Sequence, residues 1–521
     1  MSWTLGIDLG TSTCCIALYR PETDSTDIVL NLQGNRLTPS VVSLDDSSNF
    51  PLVGDSAKAA IVKNPHTTFI QFKRFIGLSY SEYTSLQIPS DFFPYNVLAT
   101  DGDKIGLRSR CQKASVVSPV ELTTELLKYL RNVVTTTHPQ LNVDNVTITV
   151  PAYFQEPRRR ATTVAAAEAG FVNINIINEP TAAALSFVDK HKDLNNYNLL
   201  VYDWGGGTFD CSVAHIENGD ISILAVDGDD MLGGSDIDRI LYSSVVIPEL
   251  QRWGLTPLPW AKLMLSGTPE NGSADLVVVN FNDDEDFVVS ITRARFERLI
   301  DPLVERTIEK VLECLVHANV PYAEIQEVCF VGGTSRLPVV QRKVCEFLSR
   351  PQQPLGSGIS PEEVVAIGAS LASHLKFGEV TAHSLGIALS DGSFDVIIPK
   401  GSRVPAHHTG HLETVLPHQD CILIRVHQGE KSNALCNSYV GEFQVTGYPV
   451  SSCKVRVVVG FKMDSQNLLT VEANVAGMTA ETNLVIQDSQ KQPTLSVESD
   501  TSNRAIVKNW EPLTANVQRI Q

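Results

Sequence analysis

The feature that most constrains this chain is a pattern written twice. Leu199-Leu200-Val201-Tyr202 leads into Asp203-Trp204-Gly205-Gly206-Gly207-Thr208 and out through Phe209-Asp210-Cys211-Ser212-Val213. β-Branched and aromatic runs on either side of a Gly-rich corner predict a tight hairpin. A tip almost without side chains lets backbone N–H groups approach a ligand closely, as phosphate binding requires. Near the start, Trp3-Thr4-Leu5-Gly6-Ile7 enters Asp8-Leu9-Gly10-Thr11-Ser12-Thr13 and leaves through Cys14-Cys15-Ile16-Ala17-Leu18-Tyr19. Two copies of one hairpin, each with an Asp at the strand end, predict a duplicated domain that closes on a nucleotide from both sides. The aspartates suit Mg²⁺ arriving with a triphosphate, because this hard cation keeps several waters and needs only one or two carboxylates nearby.

A chain of 521 residues fits two or three domains. The 43% hydrophobic content and mean hydropathy near zero describe a folded, soluble protein. A net charge of −18 argues against a nucleic-acid partner, since neutralising phosphates takes clustered Lys and Arg. Arg158-Arg159-Arg160 is the densest basic run, and on a helix it reads as a solvated face or a source of ion pairs. No run approaches the roughly 20 apolar residues of a membrane span, and no leader precedes the first strand, so a cytosolic protein without a membrane partner is expected. The ten cysteines include no C-x-x-C pair, which favours free thiols in a reducing compartment and disfavours zinc.

Along the chain, strand-like Val41–Leu44 is followed by helical sequence from Ser56 to Val62 and by another helical piece containing Phe72-Lys73-Arg74-Phe75. In its apolar surround Lys73 either snorkels to solvent or offers a point charge to a terminal phosphate. Ser118-Pro119-Val120-Glu121 is a capping box opening a helix whose Leu122, Leu126, Leu130 and Val133 share one face. A strand over Asn145–Val150, a helix over Gln155–Ala169, and a strand over Ile174–Ile177 that ends at Asn178-Glu179-Pro180 before an Ala-rich helix imply a helix-covered sheet. Glu179 stands at a strand end, where such folds place chemistry. Gly233-Gly234-Ser235-Asp236 opens a helix, and the stretch from Arg252 to Ser273 resists assignment. Val277–Phe281 and Phe287–Ile291 read as strands, and Thr292–Ala318 as a helical region interrupted near Asp301-Pro302. A third Gly-rich turn, Gly332-Gly333-Thr334-Ser335-Arg336, joins a strand to a helix whose N-terminus could hold phosphate or ribose. The capping box Ser360-Pro361-Glu362-Glu363 predicts a last helix ending near Lys376. Beyond it, alternating runs such as Cys421–Val426, Val455–Val459 and Leu468–Val471 mark an all-β domain. The expected organisation is 1–377, 378–487, and a loosely structured stretch at 488–521.

In order, Gly6–Thr11, Asn64-Pro65, Lys73-Arg74, Val150–Phe154, Ile177–Ala184, Asp203–Asp210, Leu232–Asp238, Ser290–Glu297, Val331–Pro338 and Ser384–Ile387 resemble the seventy-kilodalton heat-shock chaperone family over nearly the whole chain. The resemblance implies an α/β actin-like ATPase domain, a duplicated ribonuclease-H-like fold, followed by a small all-β sandwich that binds peptide. It implies ATP or ADP with Mg²⁺ as the bound species and K⁺ as a further cation. On it, Asp8 and Asp203 flank hydrated Mg²⁺ and Asp210 lies near a monovalent cation. Gly10, Thr11, Ser12, Gly205, Gly206, Gly207, Gly233, Gly234, Lys262, Ser266, Gly332, Gly333, Thr334 and Arg336 would hold the nucleotide. Lys73, Glu179 and Thr208 would place the attacking water and stabilise charge in phosphoryl transfer, a reaction that needs positioning more than covalent help. Pro151 and Arg159 match a relay towards the peptide domain, and Ile387, Leu412, Ile422, Ile424 and Met463 match its apolar pocket.

Departures from the family pattern sharpen the expectation. The adenosine-facing helix corresponds to Pro259–Ser266, where Lys262 and Ser266 remain but a Glu has become Pro259 and an Arg has become Leu263. Losing a cation stacked on the base removes about 1 kcal/mol. His374–Val380 replaces the usual acidic, leucine-rich linker, and no helical lid follows the β domain. The pattern resembles the atypical branch that works with a J-domain co-chaperone at the ribosome, implying weak ATP hydrolysis and service to nascent or unfolded polypeptides. A nucleotide-stabilised regulatory or scaffold subunit without productive hydrolysis is the alternative. A sugar or acetate kinase would need a small-molecule pocket, and the all-β domain argues against it.

Overall fold

The computed structural model describes residues 3–44, 50–63, 67–88, 93–109, 116–141, 143–253, 263–265, 273–282, 285–351, 358, 360–446, 448, 450–475, 478–482 and 517–519. The chain divides into two compact units, one of Met1–Thr100, Lys104–Tyr153 and Ala161–Phe377, the other of Asp101–Asp103, Phe154–Arg160 and Gly378–Gln521.

In the first unit, β1 (Thr4–Leu9) and β2 (Thr13–Arg20) form the first hairpin, with Asp8 opposite Cys15. Then β3 (Ser25–Ile28) continues antiparallel on β2, while β4 (Asn145–Val150) lies parallel to β1 and β5 (Asn173–Asn178) parallel to β4. The second hairpin repeats the plan. Its strands β6 (Tyr197–Trp204) and β7 (Phe209–Glu217) carry β8 (Asp220–Asp229) antiparallel on one side and β9 (Glu327–Val331) parallel on the other. One antiparallel-then-parallel strand order therefore occurs twice.

Helices cover these sheets for the reasons their sequences supply. α1 (Pro119–Thr137) starts at a reciprocal cap, with Ser118 Oγ accepting from Glu121 N at 3.1 Å and Glu121 Oε2 accepting from Ser118 N at 2.6 Å. Its Leu122, Leu126, Leu130 and Val133 are all buried. α2 (Glu179–Lys190) follows β5 directly, and α3 (Gly234–Leu241) opens at the second glycine pair. α4 (Arg293–Ala318) runs unbroken through Pro302, against the interruption expected there. Ile300, Leu303 and Val304 on either side are buried, so packing holds the helix over the missing backbone donor. α5 (Pro338–Phe347) begins after the third glycine turn. α6 (Val364–Leu371) is shorter than expected, because Ser360 Oγ donates to Glu362 instead of capping a helix and the cap position is Glu363. A Cβ on Gly368 of α6 would lie 1.6 Å from the Ala182 carbonyl oxygen of α2, and one on Gly6 of β1 would lie 2.3 Å from Ser370 N. These glycines let the two helices and the first sheet approach backbone to backbone.

The second unit is built from two sheets around one apolar core. The first has the order β11 (Phe394–Ile398), β10 (Leu385–Ala388), β13 (Cys421–Gln428) and β14 (Ser438–Thr446). The second has the order β17 (Met478–Thr482), β16 (Leu469–Val475), β15 (Arg456–Met463), β12 (Ala406–Thr414) and β18 (Val517–Arg519). Strict alternation along β16 sends Leu469, Val471, Ala473 and Val475 into the core. β18 falls within the stretch read from sequence as loosely structured, yet it is a paired strand. The basic run is likewise no solvated face: Arg158 is buried with its guanidinium carbon 3.7 Å from the Phe154 ring centroid. Arg159 is buried and donates from Nε to the Phe154 carbonyl at 2.9 Å, and Arg160 pairs with Glu156 at 2.7 Å. Cysteines among the described residues are free thiols, and no helix there is long and apolar enough to cross a membrane.

Candidate functional site

The two glycine hairpins meet tip to tip in the first unit. The turn between β6 and β7 is closed by Gly205 N donating to the Thr208 carbonyl at 3.1 Å. A Cβ on Gly206 would fall 2.0 Å from Ser12 Oγ, and one on Gly207 would fall 2.5 Å from Thr11 Cγ2. Glycine is required at both positions by close approach. In the first hairpin, Gly10 is held by Ser40, whose Oγ donates to the Gly10 carbonyl at 2.7 Å and whose N–H donates to the Ser12 carbonyl at 2.9 Å.

The other two glycine turns converge on the same tip. Gly234 N donates to the Gly205 carbonyl at 3.0 Å, and Ser235 donates to the Gly206 carbonyl from N at 2.9 Å and from Oγ at 2.7 Å. A Cβ on Gly233 would lie 2.5 Å from Gly207 N. Thr334 Oγ1 donates to the Gly205 carbonyl at 2.9 Å, while Gly332 sits at φ +80°, a conformation glycine adopts without strain. The third turn is itself a 3₁₀ turn, Gly333–Arg336, and α5 begins after it at Pro338. Gly333 stands in that turn, and Arg336 pairs in fork geometry with Glu362, its Nε 2.8 Å from Oε1.

Around the hairpins lies a group of buried charges. Lys73 sits in a 3₁₀ turn, Phe72–Phe75, and does not snorkel: it is buried and donates to Glu179 Oε1 at 2.7 Å. Glu179 is the first residue of α2, as its strand-end position predicted. Asp203 and Asp210 face each other across β6 and β7, and Thr208 is buried beside them in the turn. Asp8 accepts from Thr149 Oγ1 at 3.2 Å, and Asp210 accepts from Tyr153 N at 3.1 Å. Burial, followed by repulsion from Glu179, pushes the Asp8 carboxyl up to about 7. The same two causes hold Asp203 and Asp210 well above the usual carboxylate range. Lys73 opposes the shift in each case. Carboxylates this crowded and dry favour an added cation over shared protons.

Sequence reasoning gave Arg74 no role. It is 2% exposed, and its Nη2 donates to Asp236 Oδ2 at 2.7 Å and to the Gly207 carbonyl at 3.0 Å. The same Asp236 oxygen accepts from Gly233 N at 2.9 Å. One guanidinium thus fastens the second glycine tip to the start of α3. The available signal was a second charge inside Phe72-Lys73-Arg74-Phe75, a run too apolar for two solvated cations.

Of the stretch matched to the family's adenosine-facing helix, Pro259–Ser266, only Leu263–Leu265 is described, and it is not helical. Leu263–Leu265 is a short strand, with Leu263 opposite Val278 and Leu265 opposite Leu276. An apolar Leu-Met-Leu run beside a strand of Val residues pairs as sheet. Lys262 and Ser266 lie outside the described residues, as do Asn64 and Pro65. Pro151 is buried in the first unit, whereas Arg159 belongs to the second. Ile387, Leu412, Ile422, Ile424 and Met463 come together, all buried in the core of the second unit.

A family model described as Hsp70 protein matches residues 4–252 and 258–515. The chain belongs to the Hsp70 family. Members of this chaperone family typically bind ATP or ADP with Mg²⁺. Among curated relatives, a heat shock 70 kDa protein of Neurospora crassa is 31% identical, over 94% of this chain and 78% of its own length. Two ribosome-associated molecular chaperones, one of Zygosaccharomyces rouxii and one of Saccharomyces cerevisiae, are each 31% identical, over 93% of this chain and 82% of theirs. The residues on the phosphate side fit a magnesium nucleotide. The converging glycine tips put no side chains between themselves and a ligand, and the crowded carboxylates suit a hydrated cation.

Proposed function

We propose that the chain is a nucleotide-binding chaperone with weak ATPase activity, acting on nascent or unfolded polypeptides with a J-domain partner at the ribosome, in the cytosol. The observation that carries the enzymatic part is the buried Lys73–Glu179 pair, 2.7 Å apart, beside glycine tips that face each other. Bound Mg²⁺·ATP supplies the phosphoryl group and neutralises charge developing on it. Asp8 and Asp203 would hold the cation through its waters. Asp210 would hold a monovalent cation such as K⁺.

Backbone donors of Gly10–Ser12, Gly206 and Gly207 would orient the phosphates, while Gly205 N, bonded to the Thr208 carbonyl, shapes the turn. Glu179 holds the attacking water through its carboxylate, and Thr208 steers it from the turn. Lys73 balances Glu179 at rest and stabilises charge on the transferred group. Arg74 positions the glycine tip and does not touch the reacting atoms. The ribosome association of the two similar chaperones supports the ribosomal setting.

Single-turnover ATP hydrolysis with and without a J-domain protein tests the proposal. The unmodified chain should hydrolyse faster with the partner, and Lys73→Ala and Thr208→Ala should remove the difference. Equal inertness of all three proteins would overturn the enzymatic reading. Co-sedimentation with ribosomes over a range of salt tests the setting, and a failure to pellet under every condition counts against it. The strand at Leu263–Leu265, where the family presents a base-binding helix, favours a second reading in which nucleotide locks the fold of a regulatory subunit. That reading predicts nucleotide-dependent stability without turnover.

A further inference from the structure

The β-sandwich already holds a strand that its sequence neighbours do not explain. β12 would be an edge strand of its sheet, presenting a row of backbone donors and acceptors of the kind that recruits another strand. β18 takes that edge. It pairs antiparallel with Thr414 opposite Val517, Glu413 opposite Gln518 and Leu412 opposite Arg519. The chain between β17 and β18 is residues 483–516.

Three contacts make this a fitted ligand. Val517 is fully buried and belongs to the same apolar cluster as Leu412, Ile387 and Ile424. Its carbonyl accepts from Ser390 N at 3.0 Å, a residue just past β10 in the opposite sheet. Arg519 Nη1 lies 3.1 Å from Asp395 Oδ1 on β11, with the Asp395 side chain only 5% exposed and the Arg519 side chain 72% exposed. The segment therefore engages both sheets: ladder bonds to one, a backbone bond and an ion pair to the other.

We propose that Val517–Arg519 is a built-in occupant of a strand-addition groove, and that a polypeptide binding there must displace it. The groove accepts an extended segment with a compact apolar residue at the Val517 place and a cation two residues later, because Asp395 faces that position. This rests on the proposed chaperone reading, since displacement matters only if the unit takes polypeptide. A ladder of three residues is short enough to exchange. As part of the same chain, it competes at an effective concentration of order millimolar. A competitor's apparent affinity is then weakened at least tenfold wherever the segment's own dissociation constant is about 100 µM or tighter.

The test is fluorescence anisotropy of a labelled peptide with the sequence of residues 514–521, titrated with the full chain. Val517→Asp in the chain should eject the segment and tighten probe binding at least tenfold, and Arg519→Glu in the chain should tighten it a few-fold. In the Val517→Asp chain, where the segment no longer competes, Asp395→Lys should weaken binding of this probe and restore it for a probe carrying Arg519→Glu. Equal affinity of unmodified, Val517→Asp and Arg519→Glu chains overturns the proposal. If Val517→Asp unfolds the second unit, Arg519→Glu, which keeps the valine plug, decides the matter. A chain that binds an unrelated extended apolar peptide equally with and without these changes sinks the built-in occupant and leaves the chaperone reading standing. If the unmodified and Arg519→Glu chains, both folded by circular dichroism, bind neither probe, both readings fall.

Discussion

Replacing Arg74 by Met tests whether the second glycine tip is held by a buried charge. Arg74 is 2% exposed and lies 2.7 Å from Asp236 Oδ2 and 3.0 Å from the Gly207 carbonyl. At an effective dielectric constant near 20, unit charges about 4 Å apart attract by roughly 4 kcal/mol. Removing Arg74 also leaves Asp236 buried with only the more distant Arg239, 3.8 Å away, and the loss of one partner of a buried pair runs to about 3–5 kcal/mol. The lost bond to Gly207 adds about 1 kcal/mol. Arg74→Met should therefore cost the first unit about 4–6 kcal/mol, a large share of the roughly 5–15 kcal/mol that holds a domain together. Urea unfolding followed by tryptophan fluorescence reads this, because Trp204 at the end of β6 is fully buried. Asp236→Asn combined with Arg74→Met removes the stranded charge and should recover at least about 2 kcal/mol of the loss, a coupling that independent sites do not show. A single mutant within about 1 kcal/mol of the unmodified chain, or a strictly additive double mutant, refutes the reasoning.

Gly368→Ala should destabilise the first unit by more than about 3 kcal/mol, since its Cβ would meet a backbone oxygen at 1.6 Å; a melting temperature within two or three degrees, roughly 1 kcal/mol, contradicts this. Lys73→Met should abolish turnover and also lower stability, because Glu179 is left buried without its partner, and adding Glu179→Gln should restore stability but not turnover. Mg²⁺·ADP at about a hundred times its dissociation constant should stabilise the first unit by about 2.7 kcal/mol, with chelation removing the gain. Burial holds the His427 imidazole below its ordinary value, so the unfolded chain takes up a proton first as pH falls. Stability of the second unit, complete above about pH 6.5, should decline below it. The ring, with Nδ1 3.4 Å from the Asn437 carbonyl, faces Tyr439 beside the Arg425–Glu442 pair. Urea midpoints at two pH values check this, and His427→Gln should flatten the dependence.

Much of the first unit was legible because its information is local. Asp-Gly corners between β-branched runs announce hairpins, and Ser118 with Glu121 announces a helix start, through bonds within three or four residues. Lys73 and Glu179 were legible as candidates, but not as partners, since nothing local joins positions 73 and 179. Arg74 was missed for the same reason: its worth lies in Asp236 and Gly207, which the fold brings to it. Pro302 misled because propensity is judged one helix at a time, whereas packing of Ile300, Leu303 and Val304 outweighs a missing backbone bond. Leu263–Leu265 misled because its strand state is set by Val277 and Val278 across the sheet.

By itself the sequence determined the strand and hairpin plan, its duplication, the glycine tips and the acid residues that crown them, all consequences of backbone freedom and two-residue or 3.6-residue periodicity. Only the tertiary structure decided which charges neutralise one another, because burial and pairing distances of about 3 Å depend on residues far apart in the chain. It alone decided the state of Val517–Arg519. Polar spacing around isolated apolar residues reads as loose chain, yet an open edge at β12 and an apolar gap between two sheets turn three of those residues into a strand.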